Sequence, residues 1–176
     1  NNNPLNPVIS DRSFGEDPKR ATALALAWAE GLMSEGVAAC GKHFPGHGDT
    51  KLDSHLALPT VSRNLEGLEE YELVPFRLAA PYLPSIMTAH IVYPSIDPDL
   101  PATLSRKILT GLLRERGQFD GVIVTDSMGM HAIDKNWGRG EAAVMSINAG
   151  SDMVEALAKC ADRAGDGPRP PFRARF

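Results

Sequence analysis

Apolar and polar positions along the chain fall into two alternating rhythms, one helical and one extended. Over residues 19–35 strong helix formers dominate, and Ala23, Leu24, Ala27, Trp28 and Leu32 recur at helical spacing. Pro18 suits the first turn, and Gly36 stands where a C-cap belongs. The apolar run Val37, Ala38, Ala39 and Cys40 predicts a buried strand packed against that helix.

The alternation continues down the chain. An acidic helical stretch over 63–71 leads into a second short helix that stops before Pro81 or Pro84, and a strand follows over 85–90. Ile91, Val92, Tyr93 and Pro94 begin a loop. Ser105 is placed to cap a helix over 105–116, whose apolar face is Ile108, Leu109, Leu112 and Leu113. A continuous apolar strand over 121–126, a helix over 141–148, Gly150 and a strand start at Asp152 complete the pattern.

Strands that are apolar throughout and alternate with helices belong to a parallel sheet covered by helices, an α/β fold. Their carboxyl ends carry the chemically capable side chains: Lys42 and His43, His90, Asp126. That distribution suits a (β/α)8 barrel or an open α/β sheet. No Gly-x-Gly-x-x-Gly turn or P-loop appears, which argues against a nucleotide-binding open sheet. Trp28, Met33 and Cys40 read as core, and Met128 and Met130 as packing.

Composition narrows the function more than the fold. A net charge of -4 and no basic stripe give no sign of a nucleic-acid partner, and no run approaches the length of a membrane span. Cys40 and Cys160 form neither a disulfide framework nor a zinc spacing. The chain divides into a catalytic-type unit over 1–157 and an atypical tail over 158–176. Three prolines and three arginines crowd the end of that tail, which reads as disordered and without function. Compartment and oligomeric state leave no trace in the residues.

Residues 42–55 concentrate the chemistry, with three of the five histidines and two aspartates in fourteen positions. His43, His47, Asp49, Asp53 and His55 include the residue types that bind metals, yet their spacing matches no ligand pattern with a mechanism behind it, and Pro45, Gly46 and Gly48 indicate a loop. The second reading centres on Asp53 and His55. The Asp53 carboxylate accepting from one imidazole nitrogen would fix the tautomer and leave the other nitrogen for proton transfer. An Asx-type turn beside a solvated histidine satisfies the same spacing. Asp126 is likewise either a helix cap or a carboxylate free for chemistry.

Three motifs in order carry a resemblance. Asp-Arg-Ser-Phe-Gly-Glu-Asp-Pro (11–18), Lys-His-Phe-Pro-Gly-His-Gly-Asp-Thr followed by Asp-Ser-His (42–55), and Thr-Asp-Ser-Met-Gly-Met (125–130) resemble glycoside hydrolase family 3. The match is to the β-N-acetylglucosaminidase branch, which uses an Asp/His pair on a mobile loop as acid and base. The resemblance implies an incomplete TIM-type (β/α)8 barrel of interior and C-terminal βα units, because a complete barrel takes about 250 residues. It implies Asp126 as nucleophile and His55 as acid/base oriented by Asp53. Arg12, Lys42 and His43 become sugar-binding residues, with no metal and no cofactor.

The partner so implied is a small amino-sugar glycoside, such as a peptidoglycan or chitin fragment. Related β-glucosidases and β-xylosidases take their acid from elsewhere. A substrate-binding aspartate that the family supplies from an early strand loop has no counterpart here. The abrupt start at Asn1 therefore reads as an interior piece of a barrel, either active or a non-catalytic remnant.

Overall fold

A computed structural model describes residues 3, 6, 8, 9, 12–50 and 58–155. The first helix, α1 (Pro18–Ser34), is started by the Asp17 carboxylate, which accepts the Arg20 N–H at 2.7 Å. It ends in a Schellman arrangement: Val37 N–H reaches the Leu32 carbonyl and Gly36 N–H the Met33 carbonyl, with Gly36 at φ +77. The expected C-cap glycine is therefore in place, at the position just past the cap residue Glu35.

The face that α1 buries differs from the expected one. Thr22 and Ala29 are buried, whereas Leu24, Trp28 and Met33 are exposed, Trp28 by 65%. The helix packs on α3 (Leu73–Ala79), not on the strand that follows it. Alanines and leucines surround this helix on nearly every side, so spacing alone does not single out the face that packs.

Strand β1 is Cys40–Phe44, later than the run 37–40 suggested. Val37 is exposed, and Cys40 is an exposed free thiol, not a buried residue. After α2 (Leu65–Glu70) and α3, strand β2 (Ser85–Thr88) lies parallel to β1 with Cys40 opposite Ser85 and Phe44 opposite Thr88. Strand β5 (Val122–Val124) lies parallel on the other side, with Ile86 opposite Ile123. The order β1-β2-β5 puts β2 in the centre, and Met153 extends the sheet beyond β5 through a parallel bridge to Val124.

Between β2 and β5 runs a small antiparallel pair, β3 (Val92–Tyr93) and β4 (Asp97–Pro101), where the sequence suggested only loop. A π-type helix (Lys107–Arg116) follows, then α4 (His131–Asp134) and α5 (Arg139–Ala149) after β5. Ser105 fills its expected place: its hydroxyl accepts the Ile108 N–H at 3.3 Å and donates to Asp97 at 2.6 Å.

The main core joins the sheet to its covering helices through Phe44, Ile86 and Ile123 against Leu68, Leu109 and Phe119, all 2% exposed or less. Each such apolar side chain contributes about 1.5–3 kcal/mol by leaving water. A second cluster, Leu104, Met128, Ile133 and Ala142, roots the segment that follows Asp126. Among the described residues, no helix is long and apolar enough to cross a membrane.

Candidate active site

Parallel strands share a direction, so the side chains at their carboxyl ends gather at one edge of the sheet. His43 is the fourth residue of β1, His90 lies two residues past β2, and Asp126 two past β5. His43 Nε2 stands 3.6 Å from Asp126 Oδ2. Asp126 Oδ1 accepts its neighbour's Ser127 N–H at 2.8 Å. The helix-cap role for Asp126 is not taken up, since α4 begins after Met130 and has no side-chain cap.

His43 is buried, and burial lowers its pKa from the ordinary 6.5 to about 3; the Asp126 carboxylate pulls the other way without prevailing. The imidazole is thus neutral at physiological pH, and its contact with Asp126 is that of a dipole with a carboxylate rather than an ion pair. Its Nδ1 is buried with no hydrogen-bond partner among the described residues. Such a nitrogen is costly to leave unpaired, and a sugar hydroxyl is one group that would satisfy it.

Arg12, Lys42 and His43, the three expected sugar-binding residues, line one cleft of about 380 Å3 together with His47 and Glu72. The far part of the cleft is apolar, bounded by Ala25, Ala29 and Leu32 of α1. Arg12 is exposed and donates from Nη2 to the Val8 carbonyl at 2.8 Å. Lys42 is exposed as well. Asp126 is not part of the cleft lining, so His43 is the residue that connects the two groups.

Asp53 and His55 lie outside the described residues, as does the tail from 156 onward. The segment leading into the Asp53 loop is described and firmly tied. Asn6 donates to the His47 carbonyl at 2.8 Å and to the Thr50 hydroxyl at 3.2 Å, and His47 Nδ1 meets that hydroxyl at 2.7 Å. The Tyr93 hydroxyl donates to the Gly46 carbonyl, and burial keeps that phenol protonated far above its ordinary range. Gly46, at φ +149, approaches Glu72 so closely that a Cβ would sit 2.8 Å from the Glu72 Cβ. This glycine serves close packing as well as turning.

Arg63 clamps the same segment from outside, at 3.3 Å from Asp49 and with its Nε 3.1 Å from Glu72 Oε1. The Glu72 contact is ionic without hydrogen-bond alignment, and burial raises the Glu72 pKa against the pull of Arg63. On the far side of the loop, Val92 N–H binds the Pro59 carbonyl at 2.9 Å and Thr60 bridges Val92. Sequence reasoning missed Asn6, Arg63, Glu72 and Tyr93 as anchors. An asparagine in a turn-rich segment and an arginine before a helix have many commoner uses. Among the described residues, no group of three or more His, Cys, Asp or Glu is placed to hold a metal ion.

Comparison with known proteins places this arrangement. Residues 1–163 match the glycosyl hydrolase family 3 N-terminal domain. A beta-hexosaminidase of Pseudomonas aeruginosa (strain LESB58) is 44% identical over 160 residues, covering 89% of this chain and 46% of that protein. A family 3 beta-N-acetylglucosaminidase from Paenibacillus sp. str. FPU-7 superposes with a TM-score of 0.86 at 48% identity, over 89% of this chain and 30% of that one. NagZ from Neisseria gonorrhoeae, solved in complex with N-trifluoroacetyl-D-glucosamine, gives a TM-score of 0.76 at 41% identity, over 85% of this chain and 44% of that one. The chain spans less than half the length of these relatives. With the three motifs, the parallel sheet and a match over nearly its whole length, the chain belongs to glycosyl hydrolase family 3.

Proposed function

We propose that this chain carries the catalytic groups of a retaining exo-β-N-acetylglucosaminidase that releases terminal N-acetylglucosamine from peptidoglycan or chitin fragments. The observation that carries this reading is the meeting of Asp126 and His43 at one edge of the sheet, the imidazole neutral and its Nδ1 without a partner among the described residues. The strands are read as βα units of an incomplete (β/α)8 barrel, whose carboxyl edge is where such enzymes place their chemistry.

In the proposed reaction the Asp126 carboxylate attacks the anomeric carbon while His55, oriented by Asp53, protonates the departing oxygen. The glycosidic bond breaks with that oxygen's electron pair, and an ester to Asp126 forms. Water, deprotonated by His55, then hydrolyses the ester and restores both groups. Imidazole suits the acid/base role because its ordinary pKa lies near neutrality. Lys42, His43 and Arg12 hold the sugar through hydrogen bonds to its hydroxyl and acyl oxygens. These steps draw on protein groups alone.

The test is hydrolysis of nitrophenyl β-glycosides by the longest natural chain that carries these residues. The N-acetylglucosaminide is expected to be cleaved in preference to the glucoside and xyloside. Preference for either of those contradicts the assignment.

A further inference from the structure

The strand-end histidine that the proposed reaction leaves unused, His90, is 1% exposed and held at both ring nitrogens. Its Nε2 lies 3.0 Å from the Ser127 carbonyl oxygen. A carbonyl only accepts, so Nε2 carries the proton. Its Nδ1 lies 2.9 Å from the Thr103 hydroxyl, which also contacts the Thr88 hydroxyl at 2.8 Å and the Ala89 carbonyl at 2.9 Å. The Thr103 hydroxyl has one proton, which it donates to the Ala89 carbonyl, so the bond whose direction is fixed at the ring is the one from Nε2–H to the Ser127 carbonyl.

Ser127 is the residue through which the Asp126 carboxylate is held, its N–H bonding Oδ1 at 2.8 Å. The same residue is therefore gripped at its carbonyl by the histidine two positions past β2 and grips the carboxylate with its amide. The opposite side of the segment is fixed by backbone. Met128 N–H bonds the Glu155 carbonyl at 2.9 Å, Glu155 N–H the Thr125 hydroxyl at 2.9 Å, and Thr125 N–H the Met153 carbonyl at 3.0 Å. The Ser127 carbonyl also accepts the Met130 N–H at 3.1 Å within its own turn, and among the described residues the side chain that holds Ser127 from outside that turn is His90.

We propose that His90 is a positioning residue for the Asp126 carboxylate, acting through the Ser127 peptide and not by touching substrate. The inference rests on Asp126 being the nucleophile. Small displacements of a reacting group cost about 10- to 100-fold in rate while leaving distant sugar contacts in place.

Two substitutions separate positioning from packing. His90→Gln keeps a donor near the Nε2 position, whereas His90→Asn reaches Thr103 but falls short of Ser127. In the longest natural chain that carries these residues, we expect His90→Asn to lower kcat about 10- to 100-fold with KM changed less than about twofold, and His90→Gln to recover most of the loss. Their thermal midpoints should match each other. Equal kcat in wild type and His90→Asn, or equal losses in both variants, overturns the inference while leaving the function standing. A wild type without glycosaminidase activity overturns both. Should neither variant fold, 15N-histidine NMR of the wild type decides: a ring that carries a proton at Nε2 supports the inference, and one protonated at Nδ1 alone overturns it.

Discussion

The imidazole of His43 stands 3.6 Å from the Asp126 carboxylate and remains uncharged, because its burial outweighs the attraction of that neighbour. A cation there would pair with the carboxylate and blunt it as a nucleophile. In the proposed reaction a neutral ring forms no ion pair with the Asp126 carboxylate and offers its own polar edge to the sugar.

The pH dependence of stability follows from this with a definite sign. The folded pKa of about 3 lies below the unfolded 6.5, so between those values the unfolded chain binds more protons. Stability is complete above pH 6.5 and falls as pH drops toward 3, by up to ~1.4 kcal/mol per pH unit from this one group. Urea melts from pH 7 to pH 4 should show that slope, and His43→Gln should flatten it. An unchanged slope in the variant assigns the effect elsewhere.

Sugar-binding roles for Arg12 and Lys42 predict losses in kcat/KM without loss of fold, since both side chains are exposed. A hydrogen bond to a charged group is worth about 1.5–3 kcal/mol, so Arg12→Ala and Lys42→Ala should each cost about 10- to 150-fold. Steady-state kinetics beside unchanged thermal midpoints would bear this out.

Removing the clamp at Arg63 leaves the buried Glu72 without its cation. Arg63→Met is expected to destabilise the chain by roughly 1–3 kcal/mol, and the added Glu72→Gln to recover part of it, because the uncompensated charge is then gone. A double-mutant cycle in denaturant measures the coupling. Additive losses would show that the 3.1 Å contact contributes nothing of its own.

Packing beneath the site gives a contrast. Met128 is fully buried in the cluster behind Asp126, so Met128→Ala should cost about 2–5 kcal/mol. Trp28, 65% exposed, should tolerate alanine within about 0.5 kcal/mol in this chain. Thermal unfolding of the two variants checks the order.

The α/β alternation and the ends of α1 were legible in the residues, because caps and apolar runs are local signals, while α5 runs Arg139–Ala149, a little beyond the expected 141–148 at both ends. Gly36 takes positive φ just past its helix, as its placement implied, and Gly150 does the same after α5, a cap not assigned from the sequence. Which face of α1 packs was not legible. Apolar residues surround that helix, and tertiary contact with α3 chooses the Thr22 and Ala29 side. β1 begins three residues later than the apolar run, since pairing with β2 rather than hydrophobicity sets its register. The neutral state of His43 and the link from His90 to Ser127 depend on residues 83 and 37 positions apart, and no local pattern announces such pairs.

The central claim is that Asp126 bonds covalently to the sugar. The most direct measurement is mass spectrometry after incubation with a 5-fluoro N-acetylglucosaminyl fluoride, which forms the ester readily and releases it slowly. A single glycosyl adduct on the peptide containing Asp126, absent in Asp126→Asn, is predicted. An adduct on another residue, or undiminished hydrolysis by Asp126→Asn, would contradict it.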